Sequence, residues 1–227
     1  MKIEAFADPE AVARGAAAFV AKEASAAVSA RGRFVLAVSG GSTPWKMLRA
    51  LADQKVPWDG VHIVQVDERV APPGDKDRNL THLRESLLSH APLRPEQIHA
   101  MPVEAADLEA AAKQYAQELD SLAGAPPVID LVHLGLGPDG HIASLVPGDP
   151  VLEVKDAEVA VTRPYQGHQR MTLTYPTLNR ARAILYLVTG AEKTGILKRL
   201  KDGDPTLPAS RVRSDVATVL ADRAATG

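Results

Sequence analysis

The sequence predicts an α/β fold in three layers, in which helices cover both faces of a mostly parallel, twisted sheet. Short apolar runs rich in strand-forming residues alternate along the chain with longer segments of helical composition. No internal repeat, low-complexity linker or long charge block interrupts this alternation. The chain has 227 residues, enough to bury the core of one such domain without requiring a second. We therefore expect a single Rossmann-like domain over residues 1–227.

The first half of the chain supplies two predicted helices and two predicted strands. Asp8-Pro9 is an N-cap residue followed by proline, and the alanine-rich segment to about Ala30 then favours helix. Residues 33–39 (RFVLAVS) are predicted to form a buried strand. Thr43-Pro44 repeats the cap-then-proline pattern and begins the helix WKMLRALADQ. Residues 61–66 (VHIVQV) are the next predicted strand.

The second half continues the alternation. Its predicted elements are a helix from residue 79 (NLTHLRESLLSH), a short segment over 98–103, a helix over about 106–122, strands over 128–134, 171–174 and 184–189, a helix over about 191–201 and a last strand over 216–220. Parallel strands present their C-terminal ends to one edge of a sheet, and open α/β folds bind their ligands at that edge. Polar sequences that follow these strands are therefore the candidate site.

Composition limits the class of partner. The 26 basic and 28 acidic residues leave the chain close to neutral, so nothing attracts it as a whole to nucleic acid or to a membrane. The absence of cysteine excludes disulfides, thiolate zinc sites and cysteine nucleophiles. No signal-like apolar core or membrane-length apolar run is present, so we expect a soluble cytoplasmic protein.

The stretch VSGGSTP (38–44) follows the first predicted strand and is a candidate anion site. Its glycines permit positive φ angles and close backbone approach, and amides at the start of the next helix point at whatever lies in front of them. This arrangement suits a phosphate. The alternative is a tight turn with Thr43 as the helix cap, and the stretch alone, which is neither a Walker motif nor GxGxxG, favours neither. The candidate ligands are Ser39, Gly40, Gly41, Ser42 and Thr43.

The stretch LGLGPDGH (134–141) leaves another predicted strand and contains a candidate acid/base pair. His141 can transfer protons at neutral pH, and Asp139 could orient its ring. A lone histidine in a loop is more often structural or merely solvated. The position at a strand end makes His141 the first choice for the catalytic group.

Three further motifs carry charge near predicted strand ends. Asp67, Glu68 and Arg69 form either a surface ion-pair cluster or part of the site, in which Arg69 would stabilise developing negative charge. Arg170 and Lys193 alone would be solvated cations. Together with VSGGSTP they would form a phosphate clamp that aims the other end of a substrate at the catalytic group.

The remaining histidines are weaker candidates. His133 lies within a predicted strand, where a packed or hydrogen-bonded ring is the expected state, and His82, His90 and His99 are predicted surface groups. No spacing of His, Asp and Glu suggests a metal site.

These motifs, in this order and spacing, resemble the 6-phosphogluconolactonase family of the glucosamine/galactosamine-6-phosphate isomerase superfamily. They are VSGGSTP, VDERVAPPGDKDRN, LGLGPDGHIASLVPG, RMTLTYPTLNRARAILYLVTGAEKTGIL and LPASRV. The resemblance covers nearly the whole chain and implies a sheet of the amino-sugar phosphate isomerase type. It also implies hydrolysis of 6-phosphoglucono-1,5-lactone to 6-phosphogluconate in the oxidative pentose phosphate pathway, with no metal or organic cofactor.

Carried over residue by residue, the family's DGH histidine is His141 and the arginine of its DER motif is Arg69, while Arg170 and Lys193 are the cationic phosphate ligands. His141 would take a proton from the attacking water and return it to the ring oxygen. Arg69, or loop amides within residues 137–140, would hold the oxyanion. Asp67 and Asp139 would orient Arg69, His141 or sugar hydroxyls.

Two alternatives remain at this stage. Glucosamine-6-phosphate deaminases share the DGH motif but follow it with Phe-Asn-Glu-Pro-Gly, whose glutamate takes part in their reaction, whereas this chain has SLVPG at residues 144–148. Val146 stands where an aromatic residue is common in the lactonases, and the sequence after LPASRV matches them only loosely. A non-catalytic sugar-phosphate-sensing domain is the other alternative, although no basic recognition helix is present. We expect a monomer or a small homo-oligomer with a sugar-phosphate lactone as its only partner.

Overall fold

The computed structural model describes residues 1–227, with ten strands and seven α-helices. The strands are β1 (Lys2–Phe6), β2 (Phe34–Val38), β3 (Val61–Gln65), β4 (Asp67–Arg69), β5 (Ile98–His99), β6 (Leu131–Leu134), β7 (Val159–Val161), β8 (Arg170–Leu173), β9 (Ala183–Val188) and β10 (Ala217–Asp222). The helices are α1 (Pro9–Arg31), α2 (Ser42–Ala52), α3 (Asn79–Leu83), α4 (Leu108–Ala123), α5 (Tyr175–Arg180), α6 (Thr194–Lys201) and α7 (Arg223–Thr226). None of the helices is both long enough and apolar enough to span a bilayer.

Seven strands form one parallel sheet in the order β1-β10-β9-β6-β2-β3-β5. β2 and β6 are neighbours at its centre, and the chain winds outward from them in opposite directions. The gap between their C-terminal ends is thus the topological switch point at which doubly wound sheets bind ligands. VSGGSTP follows β2 and LGLGPDGH includes the end of β6, so both motifs meet there.

Helices cover both faces of this sheet, which confirms the predicted α/β architecture. β2 shows why: Phe34, Leu36 and Val38 pack into the apolar cluster under α1, α2 and α3, whereas Val35 and Ala37 pack into the cluster under α4, α5 and α6. Side chains alternate across a strand, and here both faces are buried, so the strand is a continuous apolar run. The sequence RFVLAVS has this property.

The small sheet is the main departure from the predicted architecture. β4, β8 and β7 form a separate antiparallel sheet, in which Asp67 lies opposite Thr172 and Arg69 lies opposite Arg170. The prediction that residues 171–174 belong to the main sheet was therefore wrong, and 67–69 is a strand rather than the loop after one. Only Val66 separates β3 from β4, and its carbonyl accepts a 2.8 Å hydrogen bond from the amide of Leu173. The chain thus passes directly from one sheet into the other.

Several boundaries also differ from the predictions. β1 was not predicted, because it is an edge strand with only part of its surface covered. The predicted helix from residue 79 consists of α3 and a following π-helical turn, Arg84–Leu88. The predicted helix over 191–201 consists of a 3₁₀ turn, Ala191–Lys193, followed by α6.

Candidate active site

A cleft of about 390 Å³ opens at the C-terminal ends of β2, β6 and β9, beside β4 and β8. Every predicted site residue except Asp139 lines it, namely Ser39, Gly40, Gly41, Ser42, Thr43, Asp67, Arg69, His141, Arg170 and Lys193. A larger and more apolar cavity of about 730 Å³ lies between α6 and the two chain termini, and none of the predicted site residues lines it. The polar cleft is therefore the candidate site, because its lining carries the reactive groups.

The VSGGSTP loop places the start of α2 against the cleft. Gly41 is the N-cap of α2 with φ 130°, a left-handed value that favours glycine, and no side chain caps the helix. The predicted alternative in which Thr43 caps the helix is wrong, since the Thr43 hydroxyl is instead 2.8 Å from the hydroxyl of Thr189 at the end of β9. The first amides of α2 and the positive end of its dipole are thus left facing the cleft.

Asn79 lies beside this loop and was not among the predicted site residues. Its side-chain amide occupies the space that a β-carbon on Gly40 would need, and it donates a 2.9 Å hydrogen bond to the carbonyl of Asp67. Asn79 also lines the cleft. It is the last residue of the quoted motif VDERVAPPGDKDRN, which could have marked it as a candidate.

His141 and Asp139 form a hydrogen-bonded pair in the loop after β6. His141 Nδ1 is 2.5 Å from Asp139 Oδ1, and the His141 amide donates to the same oxygen at 3.2 Å. A β-carbon on Gly137 would overlap the imidazole, so this loop admits the ring only because residue 137 is glycine. The pair leaves His141 Nε2 without a protein partner on the wall of the cleft.

Asp139 is held in its ionised form. Burial by itself would raise the pKa of the Asp139 carboxyl, but the hydrogen bonds from the amide and ring of His141 outweigh burial and lower that pKa below its ordinary value. A carboxylate on Nδ1 favours the tautomer that carries its proton on that nitrogen. The lone pair of the neutral imidazole is then on Nε2, where it can accept a proton.

Asp67 faces the cleft but does not orient either predicted catalytic group. Its carboxylate accepts a 2.6 Å hydrogen bond from the Ser144 hydroxyl and a longer one from Asn79, and it bonds neither His141 nor Arg69. Burial raises the pKa of Asp67, in spite of the Ser144 hydrogen bond and the nearby charge of Arg170.

Glu68 is turned away from the cleft and is fully buried, with 0% of its surface exposed. Its carboxylate accepts hydrogen bonds of 2.8 Å from four donors and lies 3.4 Å from the guanidinium of Arg78. The donors are the Gln65 side chain and the amides of Arg69, Asn79 and Leu80. Glu68 therefore ties both ends of the 70–78 loop together and positions the strand that carries Arg69.

Arg69 and Arg170 lie side by side on β4 and β8, and both line the cleft. Each has a buried Nε without a hydrogen-bond partner. Arg69 Nη1 donates to the carbonyl of Asp77 at 3.1 Å. Burial, together with the like charge of Arg69, lowers the pKa of Arg170. Buried donors without partners and adjacent like charges are both costly unless an anion completes the arrangement.

Lys193 reaches the cleft from the turn after β9. Its Nζ donates a 2.7 Å hydrogen bond to the carbonyl of Leu136, in the same loop as His141. Glu192, which was not a predicted site residue, also lines the cleft. The predicted cations are thus distributed around the cleft on three different strand ends.

The other histidines have structural environments. His133 is fully buried on β6, and its Nδ1 accepts a 3.3 Å hydrogen bond from the amide of Ser39, as expected for a packed ring. Burial lowers the pKa of His133 to about 3. Only His90 of the three predicted surface histidines is fully exposed, because His82 and His99 are partly buried and hydrogen-bonded.

Comparisons with known proteins identify the family of this chain. The family model described as glucosamine-6-phosphate isomerases/6-phosphogluconolactonase matches residues 7–220. A 6-phosphogluconolactonase of Synechocystis sp. is 40% identical over 79% of this chain and 77% of its own length, and one of Mycobacterium tuberculosis is 37% identical over 92% and 90%.

Solved structures give the same result. A 6-phosphogluconolactonase from Thermotoga maritima has a TM-score of 0.87 at 30% identity and covers 97% of this chain and 98% of its own. A monomeric glucosamine-6-phosphate deaminase has a TM-score of 0.85 at 23% identity, which establishes a shared fold only. The chain therefore belongs to the family of glucosamine-6-phosphate isomerases and 6-phosphogluconolactonases.

Proposed function

We propose that this protein hydrolyses 6-phospho-D-glucono-1,5-lactone to 6-phospho-D-gluconate, a step of the oxidative pentose phosphate pathway. The observation that carries the proposal is the Asp139–His141 pair, whose free Nε2 shares one cleft with Arg69, Arg170 and the uncapped start of α2. The curated relatives named above are 6-phosphogluconolactonases. We further propose that the enzyme acts in the cytoplasm without a nucleic-acid or membrane partner, since 26 basic and 28 acidic residues nearly balance.

The phosphate of the substrate binds at the start of α2. The uncapped amides there supply hydrogen bonds and a favourable dipole, and Ser39, Ser42 and Thr43 place three hydroxyls beside them. Arg170 adds a planar fork of donors, and Lys193 adds a point charge. Because these groups lie on the same cleft as His141, the bound phosphate fixes the distance of the lactone carbonyl from the imidazole.

His141 is the general base and then the general acid. As water attacks the lactone carbonyl carbon, its proton passes to Nε2, while Asp139 on Nδ1 stabilises the imidazolium that forms. When the bond between this carbon and the ring oxygen breaks, Nε2 returns the proton to that oxygen. The product is the open-chain acid, which ionises at neutral pH.

Arg69 is the oxyanion donor that the geometry supports. The alternative, loop amides within residues 137–140, is disfavoured because the Gly137 amide donates to the His141 carbonyl and the Gly140 amide donates to the Gly137 carbonyl. Arg69 lines the cleft and carries a fixed positive charge, and its buried Nε has no protein partner. Asp67 makes no hydrogen bond to His141 or Arg69, so we assign it to the sugar hydroxyls.

This chain lacks the glutamate that takes part in the deaminase reaction. Val146, which is apolar, stands at the position of the glutamate in Phe-Asn-Glu-Pro-Gly, and Ser144 at the start of the segment is fully buried and donates to Asp67. The sensor alternative predicts binding without turnover. Ammonia release from glucosamine 6-phosphate would support the deaminase, and binding of 6-phosphogluconate without lactone turnover would support the sensor.

The test is lactone hydrolysis by the purified protein, corrected for spontaneous hydrolysis. His141→Ala should lower kcat by about 10²- to 10⁴-fold, as loss of a general acid/base does, with a small change in KM. His90→Ala, which alters an exposed histidine far from the cleft lining, is the matched control. A folded His141→Ala protein with the unmutated rate would overturn the assignment.

A further inference from the structure

The segment of residues 163–169, which we call the strap, joins β7 to β8 and packs against His141 and Arg170, which line the cleft. Tyr165 and His168 exchange backbone hydrogen bonds of 2.9 and 3.2 Å, which closes a tight turn. The two residues inside the turn, Gln166 and Gly167, have φ angles of 50° and 83°. Two successive left-handed residues are typical of the turns that close two-residue hairpins, so the strap has one defined shape.

Tyr165, at the base of this turn, contacts both halves of the proposed active site. Its hydroxyl donates to Asp139 Oδ2 at 3.4 Å, and its ring meets the His141 imidazole edge to face, with centroids 5.7 Å apart. The guanidinium carbon of Arg170 lies 5.1 Å from the centre of the same ring. The carbonyl of Tyr165 also accepts from Arg170 Nη2 at 3.4 Å. One residue thus touches the acid/base pair and a phosphate-binding cation.

The far end of the strap is fixed to the loop that follows β4. His168 Nε2 lies 3.3 Å from a carboxylate oxygen of Asp77, and His168 Nδ1 lies 3.3 Å from the carbonyl of Val70. The Asp77 carbonyl in turn accepts from Arg69. The strap is therefore fixed at one end to Asp139 and Arg170, and at the other end to the loop that bonds Arg69.

We infer that Tyr165 is a positioning residue that sets the placement of His141 relative to Arg170. The inference rests on the proposed function, because it assigns those two residues to opposite ends of one substrate. Burial, followed by the charge of Asp139, raises the pKa of the Tyr165 phenol, so the hydroxyl keeps the proton that it donates. The hydroxyl restrains Asp139 and through it the imidazole, while the ring face restrains the guanidinium.

The two restraints can be removed separately. Tyr165→Phe keeps the ring against His141 and beneath Arg170 but loses the hydroxyl, so kcat should fall by about 5-fold with KM unchanged. Tyr165→Leu loses both contacts, so kcat should fall at least as far and KM should also rise by about 3- to 10-fold. A residue with only a structural role would lower stability without separating kcat from KM.

Tyr175→Phe is the matched control. The Tyr175 hydroxyl donates to the carbonyl of Pro208 at 2.9 Å, and Arg211 lies 5.9 Å from its ring centre, so it has the same two kinds of contact. Tyr175 does not line the cleft. Its variant should keep the kcat and KM of the unmutated protein.

Two measurements test the inference independently of lactone turnover. In the first, the proton on His141 Nδ1 is observed by NMR, and its resonance should shift in Tyr165→Phe and broaden through exchange in Tyr165→Leu. In the second, inorganic phosphate is titrated while the fluorescence of Trp45, whose indole lies against Gly40, is followed. Tyr165→Leu should weaken phosphate binding by about 3- to 10-fold, whereas Tyr165→Phe should leave it unchanged.

The outcomes distinguish the two proposals. If the unmutated protein hydrolyses the lactone and both Tyr165 variants keep its kcat and KM, the positioning role is overturned and the lactonase stands. If the unmutated protein does not hydrolyse the lactone, the proposed function is overturned, and the NMR and phosphate measurements decide the role of Tyr165. An unchanged Nδ1 resonance together with unchanged phosphate affinity overturns the positioning role in that case too.

Discussion

The parallel sheet and the small antiparallel sheet contribute to the cleft in different ways. The parallel sheet contributes loops at the ends of apolar strands, and these loops carry the uncapped amides of α2, His141 and Lys193. The small sheet contributes side chains that stand on its strands, namely Asp67, Arg69 and Arg170. The first arrangement lets the polar site vary without disturbing a buried core. The second places charged groups inside the fold, where each needs a partner.

The two sheets are also held in place by different interactions. Apolar clusters pack against both faces of the parallel sheet and hold its strands. The small sheet packs on one of these clusters through Met171 and Leu173, but its first strand is held by the hydrogen bonds and ion pair of Glu68. Replacing the buried carboxylate of Glu68 should therefore lower the stability of the protein far more than replacing an exposed charged residue.

The largest expected effect on stability comes from Glu68→Gln. The variant removes the charge that Arg78 faces and turns an NH₂ group toward amides that need an acceptor. Breaking a buried pair by altering one partner costs about 3–5 kcal/mol. We expect the free energy of unfolding in urea to fall by that amount.

Glu104→Gln is the control for this prediction. Glu104 pairs with the same Arg78 at 2.7 Å, but its side chain is 53% exposed. Water solvates this carboxylate, and Arg78 keeps its ion pair with Glu68, so this variant should stay within about 1 kcal/mol of the unmutated protein. Equal losses in both variants would contradict the view that Glu68 holds the small sheet.

The contrast between the two sheets also explains what the sequence could predict. The central strands are apolar runs long enough to recognise, and their strand ends carry recognisable motifs, so the parallel sheet and His141 could be predicted. Strands such as β4 and β8 are only 3 and 4 residues long and include charged residues that face the cleft. Their pairing joins residue 67 to residue 172, and no local pattern indicates so distant a partner. Tyr165 belongs to no quoted motif, and only the strap brings it to the site.

The next largest expected effect is a rise in KM when Arg170 of the small sheet is replaced. Arg170→Lys keeps the charge but loses the planar fork and the contact with the Tyr165 ring. Losing a hydrogen bond to a charged group costs about 1.5–3 kcal/mol, so KM for the lactone should rise by about 10- to 100-fold. The change in kcat should be much smaller, because the proposed function assigns Arg170 to the phosphate rather than to the reacting carbon.

Arg211→Lys provides the comparison for that measurement. Arg211 also lies over a tyrosine ring, that of Tyr175, but outside the cleft. Its variant should keep the KM of the unmutated protein. A similar KM for all three proteins would exclude Arg170 from the phosphate clamp.

The smallest expected effect lies in the parallel sheet, at His133. Burial lowers its pKa to about 3, whereas an unfolded histidine titrates near 6.5. Between these values the unfolded chain binds a proton that the folded chain does not, so stability rises with pH in this window and is lost as pH falls. His133 should therefore contribute a loss of about 1 kcal/mol between pH 7 and pH 5.5. His133→Asn keeps an acceptor for the Ser39 amide but cannot titrate. In this variant the drop in unfolding free energy between pH 7 and pH 5.5 should therefore be smaller by about 1 kcal/mol. His90→Asn, at an exposed position, is the control and should leave the drop unchanged. An equal drop in His133→Asn and the unmutated protein would mean that His133 is not kept neutral by the core of the parallel sheet, and that acid sensitivity arises instead from the buried charges of the small sheet.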